Sequence, residues 1–467
     1  MSHAPHQTTS HFPLKDFSSI AYLLMEYPRV SESFIINEIY QLERMGASLQ
    51  LFSVKKPKDA KVHETVNKIG APVTYLPSVT SLSGTPFREW LKTNLPAFLS
   101  AHCAIALRRP LAYVRVLGEA IGMMWRYREP EERHPRKVFF KEFLQAGAIA
   151  HHLLNANPFI RHIHSHFCHG TTTIAMFTSR LTGLPFSFTA HAKDIFLKSL
   201  NPGDLLQRKR RRATFLVTCT DANRHYLNTI CPDGAPIHTI YHGLAPDVFS
   251  PTSGSPSQPP LILSVGRFVE KKGFACLVEA CRILRDQGHA FQCHLIGDPG
   301  DSVTGDMTPI ICSMIEAWNL QDVVHLKPSV TQAQLRLRYQ ECTIFTLPCQ
   351  ILDNGDRDGI PNVLAEAMAT GLPVVSTEIS GIPELVTHRH NGLLIPQKDA
   401  QALAEALAEL LRNPALRTSL GQAARETICR IFDSQQTTIR LKTLFDPLPN
   451  NGSYDATTVP HESVCHG

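Results

Sequence analysis

Residues 250–265 read SPTSGSPSQPPLILSV, and the change of character inside that stretch divides the chain. From Ser250 to Pro260 the letters are Ser, Thr, Gly, Gln and Pro only, a composition that can neither build a core nor sustain a regular hydrogen-bond ladder, so 251–260 reads as a linker. At Leu261 an uninterrupted apolar segment begins. LILSV has the length of a strand and no polar face, the pattern of a strand covered on both sides. Working downstream, a helical segment FACLVEACRILRDQG ends at Gly288, and the strand-like pieces FQCHLIG, VVHL, TIFTLP and PVVST follow with helices between them. Short apolar strands alternating with amphipathic helices predict a doubly wound parallel sheet.

Upstream of the linker the same alternation recurs less cleanly. SIAYLLMEYP reads as a strand, FIINEIYQLERMG as a helix closed by Gly46, and ASLQLFSV as a strand; HIHSHF, PFSFTAH and TFLVTCT come later, after a helical insertion at about 86–152. The expected architecture is α/β, with two Rossmann-like domains at 1–250 and 261–447 and a cleft between the carboxyl ends of their sheets. Ligands belong in that cleft. The last helix is expected to pack back on the first domain. Residues 448–467 show no periodicity and are expected to be disordered.

At 467 residues, with 43% hydrophobic and 19% charged positions, the chain has enough apolar material for two soluble cores. The opening MSHAPHQTTSHF lacks the basic start and apolar run of a secretory leader, which points to the cytoplasm. Twelve scattered cysteines with no CxxC pair suit free thiols in a reducing compartment. The longest nearly uncharged apolar stretch, LPAFLSAHCAIAL at 95–107, falls short of the roughly 18 residues a bilayer needs. Charge is uneven: residues 1–250 hold 29 Lys and Arg against 18 Asp and Glu, and the remainder 17 against 23. Basic residues gather at 88–141 and in RKRRR at 208–212. No nucleic-acid motif accompanies them, so the expected polyanion is an anionic membrane surface.

The densest chemistry lies at 353–373, DNGDRDGIPNVLAEAMATGLP. Asn354, Asp356, Asp358 and Gly359 match the start of an EF-hand loop. The twelfth position, which must carry a bidentate Glu, falls on Ala365, and Glu366 is one residue late. Asp356 and Asp358 also form a DxD pair, a weak signal for a metal-held nucleotide. A third reading uses the helix that opens at Pro361 and Asn362 and stops at Gly371. Its first backbone N–H groups suit a phosphate or sugar hydroxyls, with carboxylates at Asp358 and Glu366.

The run DGIPNVLAEAMATGLPVV, followed by GIPELV and NGLLIP, resembles the donor-binding core of the retaining family-4 glycosyltransferases of GT-B fold, whose signature is two acidic residues separated by seven. Here these are Asp358 and Glu366; the family usually has Glu where this chain has the shorter Asp. The resemblance implies that Asp358 and the backbone of Gly359, Ile360, Pro361, Asn362 and Val363 hold the donor sugar and that Glu366 holds the ribose. In SVGRFVEKKGF, at 264–274, it implies that Arg267 and Lys272, beside Gly266, stabilise the leaving nucleoside diphosphate, and that His191 in FTAHAKDIF approaches the donor sugar. YPRVSESFIINEI resembles the matching loop of bacterial exopolysaccharide enzymes of the colanic-acid type, which turns Ser31, Glu32 and Ser33 toward the acceptor.

RHIHSHFCHG puts His162, His164 and His166 on one face of a strand. A zinc site could begin so, but no acidic or Cys ligand is evident from a second element; the resemblance instead implies a strand edge, with His164 and His166 on the acceptor side. The expected activity is retaining transfer from a UDP- or GDP-linked nucleotide sugar to a glycan acceptor, carried on lipid, in polysaccharide synthesis. It needs neither metal nor other cofactor, and the enzyme would be cytoplasmic, peripheral on the inner face of the plasma membrane. The alternatives are a nucleotide-sugar epimerase of the same architecture and a non-catalytic sugar-nucleotide-binding protein. A dehydrogenase is disfavoured, since no GxGxxG follows a strand.

Overall fold

The computed structural model describes residues 19–29, 32–57, 64–128, 134–156, 160–249, 251, 257–300 and 305–446. Ser31, part of the linker and the 448–467 tail lie outside the described residues. The first sheet holds β1 (Ser19–Glu26), β2 (Ser48–Lys55), β3 (Val73–Tyr75), β4 (Ile160–His166), β5 (Phe186–Ala190), β6 (Leu216–Thr218) and β7 (Ile237–Thr239). They run parallel in the order β3-β2-β1-β4-β5-β6-β7. The second holds β8 (Leu261–Val265), β9 (Gln292–Ile296), β10 (Val324–Lys327), β11 (Ile344–Leu347), β12 (Val374–Thr377) and β13 (Leu393–Ile395), parallel in the order β10-β9-β8-β11-β12-β13. Both are doubly wound, and each reverses direction once, between β1 and β4 and between β8 and β11. A crevice opens above the strand ends at such reversals.

Every residue of β8 and of β11 is buried, as their unbroken apolar letters require. In the insertion, the helices Phe87–Asn94, Pro96–Arg108, Pro110–Arg126 and Val138–Ala156 bury Trp90, Phe98, Met123 and Phe143 in the first domain's core. Their outer face stays apolar. Leu107, Leu111, Val114, Ile121 and Trp125 are all half exposed or nearly so, and Leu107 is 85% exposed.

The RKRRR run is not a solvated patch. Helix Leu205–Arg212 turns Lys209 inward, where its ammonium donates to the carbonyls of Cys168 at 2.8 Å and His169 at 3.2 Å and to Asn201 Oδ1 at 2.9 Å. Arg210 is buried and donates to the carbonyl of Ala235 and to Asn228 Oδ1, both at 3.0 Å. Arg208 and Arg212 join Arg180 on the carboxylate of Glu119, which pins the insertion to the sheet domain. An ammonium that makes three hydrogen bonds in the interior cannot serve a lipid headgroup.

The last described helix, Ser434–Phe445, packs on the first domain, where Leu441 and Phe445 join Ile20, Tyr22, Ile35 and Ile39 in one apolar cluster. The returning chain crosses the domain junction by two backbone hydrogen bonds, Leu244 N–H to the Phe432 carbonyl at 2.9 Å and Ser434 N–H to the Leu244 carbonyl at 2.8 Å. The domains also meet beside the crevice. Glu384 accepts from the backbone N–H groups of Asp221 at 2.7 Å and Ala222 at 2.8 Å, the free donors at the start of helix Asp221–Ile230.

Candidate active site

Two loops meet at the β8/β11 reversal. After β8 the chain makes a short turn, Glu270–Lys272, and enters helix Phe274–Asp286 through Gly273. Gly273 has φ of 72°, and a Cβ there would stand 1.9 Å from the carbonyl oxygen of Pro348, at the end of β11. Only glycine lets these two loops touch. The contact brings Lys272 Nζ to 2.8 Å from Asp358 Oδ2, on the loop after β11. Lys271 Nζ lies 3.0 Å from Asp356 Oδ1 and 3.4 Å from Asp358 Oδ1. Burial by itself would raise the Asp358 pKa; Lys272 and Lys271 outweigh it and hold the carboxyl well below the usual range. The same pairing overcomes burial at Lys272 and raises its pKa.

Asp356, which the EF-hand match and the DxD pair offered as a metal ligand, is instead half of a buried ion pair with Lys271, and the pair anchors the Asp358 loop.

Helix Asn362–Ala369 follows, with Pro361 ahead of it. Glu366 sits in its middle, 9% exposed, and Tyr339 donates to its Oε2 at 2.9 Å. Burial pushes the Glu366 pKa up to about 7, against the lowering effect of the Tyr339 hydroxyl. A cleft reaches this carboxylate, lined on one side by Asn362, Ala365 and Gln332 and on the other by Ser33, Phe34, Asn37 and His242. Ser33 thus stands across the cleft from Glu366. The cap position of its helix, Ser33–Arg44, belongs to Glu32, which makes no side-chain cap and is turned aside into an ion pair with Arg29 at 3.0 Å.

Across from the Asp358 loop lies the carboxyl edge of β5 and β6. Gly359 is so close to it that an added Cβ would meet Cys219 Sγ at 3.4 Å and Thr220 Cγ2 at 3.5 Å. His191, the residue after β5, is fixed by its backbone. Its N–H donates to Asp194 Oδ1 at 3.0 Å, and its carbonyl accepts from Asn223 Nδ2 at 2.8 Å. Its ring is 7% exposed, with Nδ1 3.2 Å from His242 Nε2 and Nε2 3.4 Å from His166 Nδ1. His166 Nε2 in turn faces Glu38 Oε1 at 2.9 Å, and Tyr22 donates to the same oxygen at 2.8 Å. Burial, and then His242 and His166, drive the His191 pKa well down, so the ring is neutral.

The histidines of β4 do not line the cleft. His164 and His166 are fully buried, and both ring nitrogens of His164 are taken, by Ser187 Oγ at 2.8 Å and Thr189 Oγ1 at 3.0 Å. His162 faces Ser187 Oγ at 2.6 Å. The acceptor-side placement expected of His164 and His166 is corrected by this burial: a central strand of a covered sheet has no open face. His242, which no motif marked, is the imidazole that borders the cleft.

Two facing doubly wound sheets with the polar site at their strand ends define the GT-B fold. The C-terminal domain, over residues 247–427, matches the family described as glycosyl transferases group 1. The amylovoran biosynthesis glycosyltransferase AmsK of Erwinia amylovora is 40% identical over 199 residues, 42% of this chain and 47% of that protein, so the match spans about half of that relative's length. The putative colanic acid biosynthesis glycosyltransferase WcaL of Salmonella typhimurium is 28% identical over 438 residues, 92% of this chain and 100% of that protein. Among solved structures, sucrose-phosphate synthase from Thermosynechococcus elongatus superposes with a TM-score of 0.64 at 19% identity, covering 92% of this chain and 98% of that one. HepE of Anabaena, solved with UDP-glucose, gives 0.62 at 14% identity, covering 91% and 99%.

Proposed function

We propose that the chain is a retaining glycosyltransferase of extracellular polysaccharide synthesis, moving a sugar from a nucleotide sugar to a glycan acceptor. The observation that carries this reading is the pairing of Lys272 with Asp358 at the β8/β11 reversal, with Glu366 eight positions further on at the wall of the cleft. A dry ammonium held by a carboxylate is a charge kept ready for a diphosphate. As the donor enters, its phosphates compete for Lys272 and, together with Arg267, that cation receives the charge that develops on the leaving group. Asp358 and the backbone of 359–363 face the sugar, and Glu366 accepts the ribose hydroxyls. The printed names of AmsK and WcaL support polysaccharide synthesis, and the UDP-glucose in HepE supports a nucleotide-sugar donor.

In the same-face substitution, the bond from the anomeric carbon to the diphosphate breaks and the bond to the acceptor oxygen forms on the same side. The departing phosphate takes the acceptor's proton. The protein's own groups then position and stabilise, and no carboxylate attacks. Lys272→Ala is expected to lower kcat by at least about 100-fold, with the fold intact by circular dichroism. Near-normal turnover in that variant would remove Lys272 from the site. Chelator-treated protein is expected to retain full activity, and strict dependence on an added divalent ion would return the DxD pair to consideration.

A lipid-carried acceptor suits the outer face of the insertion. Leu107, Leu111, Val114, Ile121 and Trp125 form an exposed apolar stripe among the exposed Arg108, Arg109 and Arg115, the make-up of a surface that lies in an anionic lipid interface. This stripe replaces RKRRR as the membrane-facing element.

A further inference from the structure

We infer that the N-terminal domain carries a site for one thiophilic divalent cation of the zinc class, with His191, Cys219 and His242 as its protein ligands. The topology builds it. β5, β6 and β7 are consecutive neighbours in the sheet, and each delivers one ligand just beyond its carboxyl end: His191 directly after β5, Cys219 directly after β6, His242 three residues after β7. One ligand atom from each residue lies within 4.8 Å of the other two. His191 Nδ1 and His242 Nε2 stand 3.2 Å apart. Tetrahedral zinc with bonds of about 2.0–2.3 Å separates its ligand atoms by roughly 3.3–3.7 Å. An ion therefore needs the imidazoles to part by a few tenths of an ångström and the thiol sulfur to close by no more than about 1.5 Å.

The surroundings orient the ligands as a metal requires. Glu38 accepts from His166 Nε2–H, which leaves His166 Nδ1 to accept from His191 Nε2–H. His191 Nδ1 is then left with its lone pair toward His242. A zinc histidine usually gives its far N–H to an outer-shell acceptor; here that acceptor is His166, itself backed by the Glu38 carboxylate. A second group, Glu38, His164 and His166, is equally close together, but both nitrogens of His164 are held by hydroxyls, so that group forms a hydrogen-bond network rather than a ligand set.

On binding, the thiol of Cys219 gives up its proton to solvent, and the proton on His242 Nε2 moves through solvent to Nδ1; one proton is released per ion. The fourth position falls to water or to a hydroxyl from the cleft, which His242 borders together with Glu366 and Asn362. Gly359 lies directly over Cys219. Where His191 approaches the donor sugar, as the resemblance implies, an ion here holds its ring back and occupancy inhibits transfer; this consequence, unlike the site itself, rests on the transferase reading.

The test is titration of the chelator-stripped full chain with cobalt(II), then zinc. The expected result is a thiolate-to-cobalt charge-transfer band that saturates at one equivalent and is displaced by zinc. Cys219→Ser should abolish the band and weaken zinc binding by about 100-fold, and Glu38→Gln should weaken it by about 10-fold. Metal-free transfer by Cys219→Ser should stay within about twofold of the parent, and zinc should inhibit the parent alone. A cobalt complex without the charge-transfer band, or zinc bound equally well by Cys219→Ser, would overturn the site. The cobalt spectrum needs no substrate, so it decides the site even if no sugar is ever transferred.

Discussion

At the scale of single residues, two carboxylates eight positions apart have been given opposite chemistry by their neighbours. Asp358 has two ammonium groups against it and stays ionised; Glu366 has only a phenol and the apolar interior, and its pKa climbs to about 7. The folded chain thus prefers Glu366 protonated. That contribution to stability is fully present below the unfolded value near 4.5 and is lost as pH rises through about 7. Glu366→Gln is accordingly expected to raise the stability of the substrate-free protein at pH 8 by about 1–3 kcal/mol, with little change at pH 4.5, while transfer is abolished. Urea denaturation at the two pH values measures this, and an equal effect at both would refute the assignment. The Asp358 and Glu366 pair was legible in the letters because its spacing is a motif. The partners Lys271 and Tyr339, which help to set their charge, were not, since each depends on which loops the fold lays side by side.

Among the elements, sequence periodicity revealed strands buried along their whole length, such as β8, β11 and β12, and also partly buried ones such as β1, β2 and β9. β3, β7 and β13 are three residues each and went unseen; β6 is as short but lies within the longer run TFLVTCT, which showed it. β4 misled in another way. Alternation places His162, His164 and His166 on one face, but in a sheet covered on both sides that face is interior, and alternation carries no information on which face is wet. Charge misled at helix Leu205–Arg212 for a related reason: a cationic run reads as solvated until Glu119, from a helix about 90 residues earlier in the chain, appears against it. The β8 loop offers a sharp test at this scale. Gly273→Ala forces a Cβ against the Pro348 carbonyl at a positive φ, with an expected cost of about 3 kcal/mol or more and displacement of Lys272. A urea midpoint unchanged from the parent would show that the two loops do not need this contact.

For the whole molecule, the two domains are coupled by the chain's return. Helix Ser434–Phe445 completes the core around Tyr22 and Ile35, so the first domain is finished only by the last described segment. Ending the chain at residue 433 is expected to expose that core and produce an aggregation-prone protein, measurable by dye binding and light scattering. A soluble, cooperatively unfolding product would contradict this packing. The apolar stripe on the insertion predicts binding to vesicles containing anionic lipid. Replacing Leu111, Ile121 and Trp125 by Ser should reduce that binding at least about tenfold, whereas neutralising Arg211, an exposed member of the RKRRR run, should leave it nearly unchanged. Vesicle flotation with equal binding in both variants would rule the stripe out.

The central claim is that Lys272, Asp358 and Glu366 form a metal-independent site for sugar transfer with retention. Its most direct test is proton NMR of a panel of UDP- and GDP-sugars incubated with chelator-treated protein and a lipid-linked glycan acceptor. One donor should be consumed without added metal, the product should keep the donor's anomeric configuration, and Lys272→Ala should leave the donor intact. An inverted product, or turnover that begins only when a divalent ion is supplied, would contradict it.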